Sequence, residues 1–216
     1  FLKAQATLAN VACALRKLKI DSIFIGRIGN DDFGKQFIRQ FKELEVNSEF
    51  LQFDNDSPTR IVNVERDQFG DRFFSGFEPN SHSRFADEAL SKKLIEKELS
   101  NFEHFFLETK YLVSGTIALS SPISKETIFF LLEQANKFEV KIIIDLNWRE
   151  VFWDYSIFSS KISKQARVNL IKKFLNHAHI LKLAKEEATL FFGNEKNPLL
   201  ISQQLSKRPD VIITDG

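Results

Sequence analysis

Directly after the apolar run Ile142-Ile143-Ile144 the chain reads Asp145-Leu146-Asn147-Trp148-Arg149. An acid, an amide and a guanidinium thus alternate where a buried strand ends, and such groups can converge on one pocket. Arg149 suits an anionic phosphate, because a planar guanidinium takes such oxygens two at a time. The alternative is an ordinary strand-end turn in which Asp145 caps and Arg149 is solvated. A second candidate is Gly26-Arg27-Ile28-Gly29-Asn30-Asp31-Asp32-Phe33-Gly34, between a strand-like Ser22–Ile25 and a helical pattern carrying Phe33, Phe37, Ile38, Phe41 and Leu44 on one face. Glycines at a strand-to-helix junction let the backbone turn sharply and approach a ligand. Asp31 or Asp32 can cap the following helix, and a well-made βα turn is the plainer alternative. The third candidate, Lys185-Glu186-Glu187, follows the strand-like Ile180–Leu183, where acids in a first helical turn are also favoured by the dipole alone.

Other chemistries find little support. His177 and His179 face one side of an extended segment, but no carboxylate or thiol stands nearby in sequence to complete a metal site. The chain has no Gly-x-x-x-x-Gly-Lys-Ser/Thr phosphate loop and no Gly-x-Gly-x-x-Gly, which disfavours Walker-type NTPases and ordinary dinucleotide-binding dehydrogenases. Ser114-Gly115-Thr116 is not the nucleophile elbow of hydrolases.

The elements that must position these residues alternate. Leu8, Val11, Ala12, Leu15 and Leu18 recur at helical spacing, followed by strand 22–25 and a helix from Asp32 to Glu45. Arg60–Arg66 alternates, Asp67–Asp71 has turn chemistry and Arg72–Phe77 is extended again, which predicts a β-hairpin. Then come strand Tyr111–Ser114, a helix carrying Ile128, Leu131, Leu132 and Ala135, strand Val140–Ile144, a helix over 165–176, strand Ile180–Leu183, two short helices and a strand over 211–214. Strands separated by helices predict an α/β fold with a mainly parallel sheet, whose ligands bind beyond the carboxyl ends of the strands. The hairpin is the exception and reads as a small β lid.

Composition bounds the partners. With 216 residues and 43% apolar content the chain suits one domain with a sizeable core. Thirty basic against 29 acidic side chains leave +1, so charge makes no case for nucleic acid or a membrane surface. No apolar run approaches the roughly 20 residues of a membrane span. The single cysteine, Cys13, cannot form an internal disulfide, and a reducing, cytoplasmic compartment is the expectation. The chain starts at Phe1 without Met and stops just after the apolar Val211-Ile212-Ile213, which reads as an internal fragment.

Together these pieces resemble the ribokinase-like carbohydrate kinases (the phosphofructokinase-B family), and within them the fructokinase branch. Ala9-Asn10-Val11-Ala12 looks like part of that family's first signature, and Gly26-x-x-Gly29-x-Asp31-x-x-Gly34 is similar to its glycine-aspartate turn. Pro58-Thr59-Arg60 with the hairpin resembles the sugar-covering lid. Asp145-x-Asn147-x-Arg149 with Trp153 resembles the Asp-Pro-Asn-x-Arg motif, Lys182–Glu187 the segment ending in an acidic motif, and Thr214-Asp215-Gly216 the start of the nucleotide site.

The resemblance implies a three-layer ribokinase-like domain over 1–216 with lid strands at about 50–78, and ATP-dependent phosphorylation of a sugar hydroxymethyl group, fructose being the expected sugar. It implies that Asn10 and Gly26 border the sugar, and that Arg149 steadies the sugar or the transferring phosphoryl with Asp145 and Asn147 beside it. Glu187 would act through water on Mg²⁺ and the phosphates, with no direct metal ligand in the chain, and Thr214 and Gly216 would border the nucleotide. The N-terminal strand and the Gly-Ala-Gly-Asp that holds the catalytic base are expected outside this stretch, the base beyond Gly216, so the fragment alone is expected to be inactive. A homodimer through the lid, supported by Phe73, Phe74 and Phe77, is a further expectation. The chain departs from the family pattern at Gln5-Ala6-Thr7-Leu8 (usually Gly-Gly-Ala-Pro), Lys19 (Gly or Ser), Leu146 (Pro) and Ala184 (Asn or Ser). The altered 5–8 stretch keeps a second reading open: a non-catalytic fructokinase-like scaffold or binding protein. A nucleoside kinase of the same fold shares the chemistry.

Overall fold

The computed structural model describes residues 7–66, 68, 72–78, 84–97, 99–155 and 161–215. The chain divides into two compact units, Phe1–Ser91 and Lys92–Gly216.

In the first unit, α1 (Thr7–Lys17), β1 (Gly26–Gly29), α2 (Asp32–Glu43) and β2 (Leu51–Asp54) follow in order. β1 and β2 pair in parallel, Gly26 opposite Leu51 and Gly29 opposite Asp54. Their core joins Ala9, Ala12 and Cys13 of α1 to Ile28, Phe37, Phe41, Val46 and Leu51. Burial raises the pKa of the Cys13 thiol, with Lys17 opposing weakly, which keeps it an inert packing group. Regular pairing begins later than the apolar pattern implies: Ile23 makes only an isolated bridge to Asn47, and the strand proper is Gly26–Gly29. The reason is Phe24, whose ring leaves the strand line to pack on Phe37 and Phe41 of α2, with centroids 5.8 and 5.1 Å away.

The hairpin forms from β3 (Ile61–Arg66) and β4 (Arg72–Glu78). Its register steps between Asn63↔Gly76 and Val64↔Phe74, leaving one extra residue on β4 beside Gly76 at φ +154°, a conformation that favours glycine. Phe77 is buried against Phe85 at 5.8 Å; the side chains of Phe73 and Phe74 lie outside the described residues. A 3₁₀ turn, Ala86–Ala89, follows.

The second unit runs α3 (Lys92–Lys97), α4 (Leu99–Glu108), β5 (Tyr111–Gly115), a 3₁₀ turn (Ile117–Ser120), α5 (Pro122–Lys137), β6 (Lys141–Asp145), α6 (Glu150–Tyr155), α7 (Lys164–Leu175), β7 (Ile180–Ala184), α8 (Lys185–Phe192), α9 (Pro198–Gln203) and β8 (Asp210–Thr214). Among the described residues β5, β6, β7 and β8 form a parallel sheet in that order. This is the mixed α/β architecture with a mainly parallel sheet that the alternation predicts. Ile142, Ile144, Leu181 and Leu183 are fully buried in it, each contributing on the order of 2 kcal/mol of apolar burial. No helix among the described residues is long and apolar enough to cross a membrane.

At the amino-terminal edge of this sheet the two histidines have structural partners. His179 Nδ1 accepts the Ile142 N–H at 2.9 Å, and His177 stands edge-on to Phe129 at 5.8 Å. Burial and then the Lys207 ammonium hold both imidazoles below their ordinary pKa; Lys141 adds to this at His179, and Lys173 adds to it at His177 against an opposing Glu133. The unfolded chain therefore takes up these protons first, near the ordinary value of about 6.5. Stability is complete above that pH and is lost as pH falls through it toward the folded-state values. Urea unfolding followed by tryptophan fluorescence is expected to give a lower midpoint at about pH 5.5 than at about pH 7.5. The double variant His177→Gln/His179→Gln is expected to lose part of that difference; an unchanged difference would exclude the pair as its source.

Candidate functional site

A parallel sheet brings all its carboxyl ends to one edge. In β5–β8 the register sets Gly115 beside Asp145, Asp145 beside Lys182, and Ala184 beside Thr214. Asp145, Asn147, Arg149, Glu187 and Thr214 are thereby gathered along one edge of the second unit. Gly216 lies outside the described residues.

The loop after β6 is fastened residue by residue. Leu146 is fully buried; its N–H donates to Lys182 O at 2.9 Å and its carbonyl accepts the Thr116 hydroxyl at 2.7 Å. Proline, the family's usual residue there, would lack that N–H. Asn147 takes φ +37°, a region asparagine tolerates better than most residues. The Trp148 N–H donates to Glu187 Oε1, and its ring packs against Trp153 at 5.3 Å and Phe191 at 5.4 Å. Arg149 stays exposed, with Nη1 on the Trp148 carbonyl at 2.8 Å.

Glu187 joins the two turns. It is only 7% exposed, and its second oxygen accepts the Ala184 N–H at 2.8 Å. One carboxylate thus caps α8 and anchors the Asp145–Arg149 loop. Ala184 cannot supply the reciprocal side-chain cap that Asn or Ser would. On the solvent side, Lys182 Nζ lies 3.0 Å from Asp145 Oδ1, and Lys185 pairs with Asp215. The sequence marks Lys182 only as the start of the Lys182–Glu187 segment; its contact with Asp145 follows from the pairing of β6 with β7.

Among the described residues no group of three or more His, Cys, Asp or Glu side chains could hold a metal. Glu187, whose oxygens are both engaged by backbone, would reach a metal only through water.

The glycine-aspartate turn of the first unit is built for its own chain. A Cβ on Gly34 would sit 2.1 Å from Gly29 O, and one on Gly29 would sit 2.5 Å from Thr59 N. Asp31 caps α2 by accepting the Gly34 N–H at 2.8 Å, and it also accepts the Thr59 N–H at 2.7 Å and hydroxyl at 2.8 Å. Burial raises its pKa, but these hydrogen bonds win and hold the carboxyl below its ordinary value. Asp54 is similar: burial is outweighed by the Asp56 and Ser57 N–H groups and by Arg27. The turn's glycines therefore serve its packing on the residues that enter the hairpin. Gly26 lies inside β1, with the Phe24 ring where its Cβ would be, and Asn10 is exposed on α1. Gln5 and Ala6 fall outside the described residues.

The family model "pfkB family carbohydrate kinase" matches residues 8–216. The protein named Probable fructokinase-5 of Arabidopsis thaliana is 30% identical over 220 residues, covering 100% of this chain and 62% of that protein. Fructokinase-like 1, chloroplastic, of the same plant is 27% identical over 182 residues, covering 83% of this chain and 34% of its own length. Among solved structures, fructokinase of Xylella fastidiosa with bound ATP superposes with a TM-score of 0.80 at 22% identity, covering 98% of this chain and 61% of that one. The chain thus spans 62% or less of the length of these relatives.

Two fastenings can be tested by denaturant unfolding. Glu187→Ala strips two backbone N–H groups of their acceptor and is expected to destabilise the second unit by about 2–4 kcal/mol. Gly34→Ala forces a backbone shift at Gly29 and is expected to cost the first unit at least about 2 kcal/mol. Values within about 0.5 kcal/mol of wild type would refute either assignment.

Proposed function

The chain belongs to the pfkB family of carbohydrate kinases, and on that premise we propose that its full-length protein transfers the γ-phosphoryl group of ATP to a hydroxymethyl oxygen of a sugar, fructose. The observation that carries the reading is the strand-end row of the second unit. There an exposed guanidinium, a partly buried carboxylate and an amide leave one strand on a loop made rigid by Glu187. Such a row supplies what phosphoryl transfer chiefly needs: fixed positions and positive charge where negative charge spreads over the phosphoryl oxygens.

In the reaction the sugar oxygen forms a bond to the γ-phosphorus, the bond to the β,γ-bridging oxygen breaks with its electron pair leaving on ADP, and the hydroxyl proton passes to a general base. Arg149 would steady the transferring group, with Asp145 and Asn147 ordering the loop. Asn10 and Gly26 would border the sugar, and Thr214 and Gly216 the nucleotide. Mg²⁺, arriving with ATP, would neutralise phosphate charge, and Glu187 would meet its waters. None of these residues is proposed as the base. Fructose is favoured by the 30% identity to Probable fructokinase-5.

A non-catalytic scaffold is the second reading. It draws on the similarity to Fructokinase-like 1, chloroplastic, and on the altered Gln5-Ala6-Thr7-Leu8. The intact Asp145, Asn147 and Arg149 favour the kinase.

A coupled ADP-release assay on the full-length protein with a panel of sugars decides between them. Fructose-dependent turnover is expected, and Arg149→Gln is expected to lower kcat/KM at least about 100-fold with an unchanged unfolding midpoint, since the side chain is exposed. Absence of turnover with every sugar of the panel would favour the scaffold, and a fully active Arg149→Gln would remove Arg149 from the chemistry.

A further inference from the structure

A second polar cluster lies at the amino-terminal edge of the β5–β8 sheet, away from the strand-end row. The turn between α9 and β8 is pinned there. The Ser206 N–H and hydroxyl both donate to Asn176 Oδ1, at 2.9 and 3.0 Å, and Leu205 is buried. Lys207 follows, exposed, and its side chain reaches residues that lead into β6 and β7. Its Nζ donates to Asn136 Oδ1 and stands 3.2 Å from His179 Nε2. Among the described residues Lys207 has no carboxylate partner.

The protons of this contact can be counted. His179 Nδ1 accepts the Ile142 N–H at 2.9 Å, so it carries no hydrogen. A neutral imidazole then has its proton on Nε2, and an imidazolium would set N–H against N–H at Ile142. The Nε2–H therefore faces Lys207, and an ammonium has no lone pair to receive it. Only the amine form of Lys207 satisfies both sides, by accepting from His179 Nε2 and donating to Asn136. The surroundings favour the same form. Lys141 of β6 adds positive charge at His179 and Lys173 of α7 adds it at His177, with Glu133 of α5 opposing there. Burial holds the Lys207 ammonium below its ordinary pKa.

We propose that Lys207 is a nucleophilic amine and a site of covalent acylation, whose acyl donor is an acyl phosphate. The Nζ lone pair attacks the acyl carbonyl carbon and forms a C–N bond. The C–O bond to phosphate breaks, its electron pair leaves on inorganic phosphate, and one N–H proton passes to water. The donor class follows from charge. Among the described residues neither Lys141 nor Lys173 has a carboxylate partner, although Lys173 also lies 5.3 Å over the Phe129 ring. This edge therefore attracts an anionic reagent and steadies the departing phosphate. The amide nitrogen of the product is no longer basic and cannot accept from His179 Nε2, so acylation releases that contact. The site stands apart from the kinase reading and does not depend on it.

The test treats the full-length protein with acetyl phosphate or with the uncharged N-hydroxysuccinimidyl acetate, and follows acetylation of each lysine by peptide mass spectrometry. An ordinary lysine is only about 0.1% amine at about pH 7.5, so Lys207 is expected to react at least about 10-fold faster there than the exposed Lys42 and Lys93. Its rate should level off at a lower pH than theirs. Its excess over them should be larger with acetyl phosphate than with the uncharged reagent. His179→Gln, whose side-chain carbonyl can accept from an ammonium, should bring Lys207 down to the rate of Lys42 and Lys93. Their unchanged rates report an intact fold. A wild-type Lys207 no faster than Lys42 and Lys93 with either reagent overturns the inference, as does an unchanged Lys207 rate in folded His179→Gln. An excess no larger with acetyl phosphate than with the uncharged reagent overturns the acyl phosphate as donor.

Discussion

Carboxylates that accept backbone N–H groups hold the loops of this protein. Asp31 takes the Gly34 and Thr59 amides, Asp54 those of Asp56 and Ser57, Glu88 that of Phe85, and Glu187 those of Trp148 and Ala184. The need arises from the architecture. Strands that end at loops, and helices that begin there, leave amide groups with no partner in regular structure. Burying them unmet would cost on the order of 1–3 kcal/mol each. One carboxylate can satisfy two and is itself stabilised as the anion, as the lowered pKa values of Asp31 and Asp54 reflect.

This economy separates two populations of charge. Of the acids that fasten loops, Asp54, Glu88 and Glu187 are buried and Asp31 is half-buried. The charged groups left at the β5–β8 edge are solvated and lightly held: Arg149 on a carbonyl, Lys182 on Asp145, Lys185 on Asp215. Rigid backbone beneath exchangeable side-chain pairs is the arrangement a site for a charged substrate requires. The frame need not reorganise when ligand charge arrives, and the side chains can change partners at small cost.

How much of this was legible in the sequence depends on range. The alternation of strands and helices was plain because each element carries its own period, as in Ile142-Ile143-Ile144 or in Phe37 and Phe41 four apart. The strand-end motif was legible because Asp145, Asn147 and Arg149 lie within five consecutive residues. Glu187 was noticed as an acid in a first helical turn, but its bond to Trp148, 39 residues away, follows only from the register of β6 on β7. The glycine-aspartate turn was visible as a turn; that Gly29 and Gly34 make room for one another and for Thr59 could not be read from spacing. The start of β1 was misplaced for a similar reason. Phe24 looks like any strand residue until its ring finds α2.

The family departures that fall among the described residues can be judged by the same physics. Lys19 follows α1 at φ +61°, the left-handed position where glycine is at ease, so the replacement costs roughly 1 kcal/mol of backbone strain. Leu146 gains a donor that proline lacks and uses it on Lys182 O, which adds a tie between the two strands that carry the candidate residues. Ala184 forfeits half of a capping box, but the other half, Glu187 to the Ala184 amide, is the half that also leaves Glu187 able to reach Trp148. Each change is absorbed by backbone, while Asp145, Asn147 and Arg149 keep their places on the strand-end loop. A chain drifting away from phosphoryl transfer would be free to lose Arg149 first, since its side chain is exposed and contributes little to the frame.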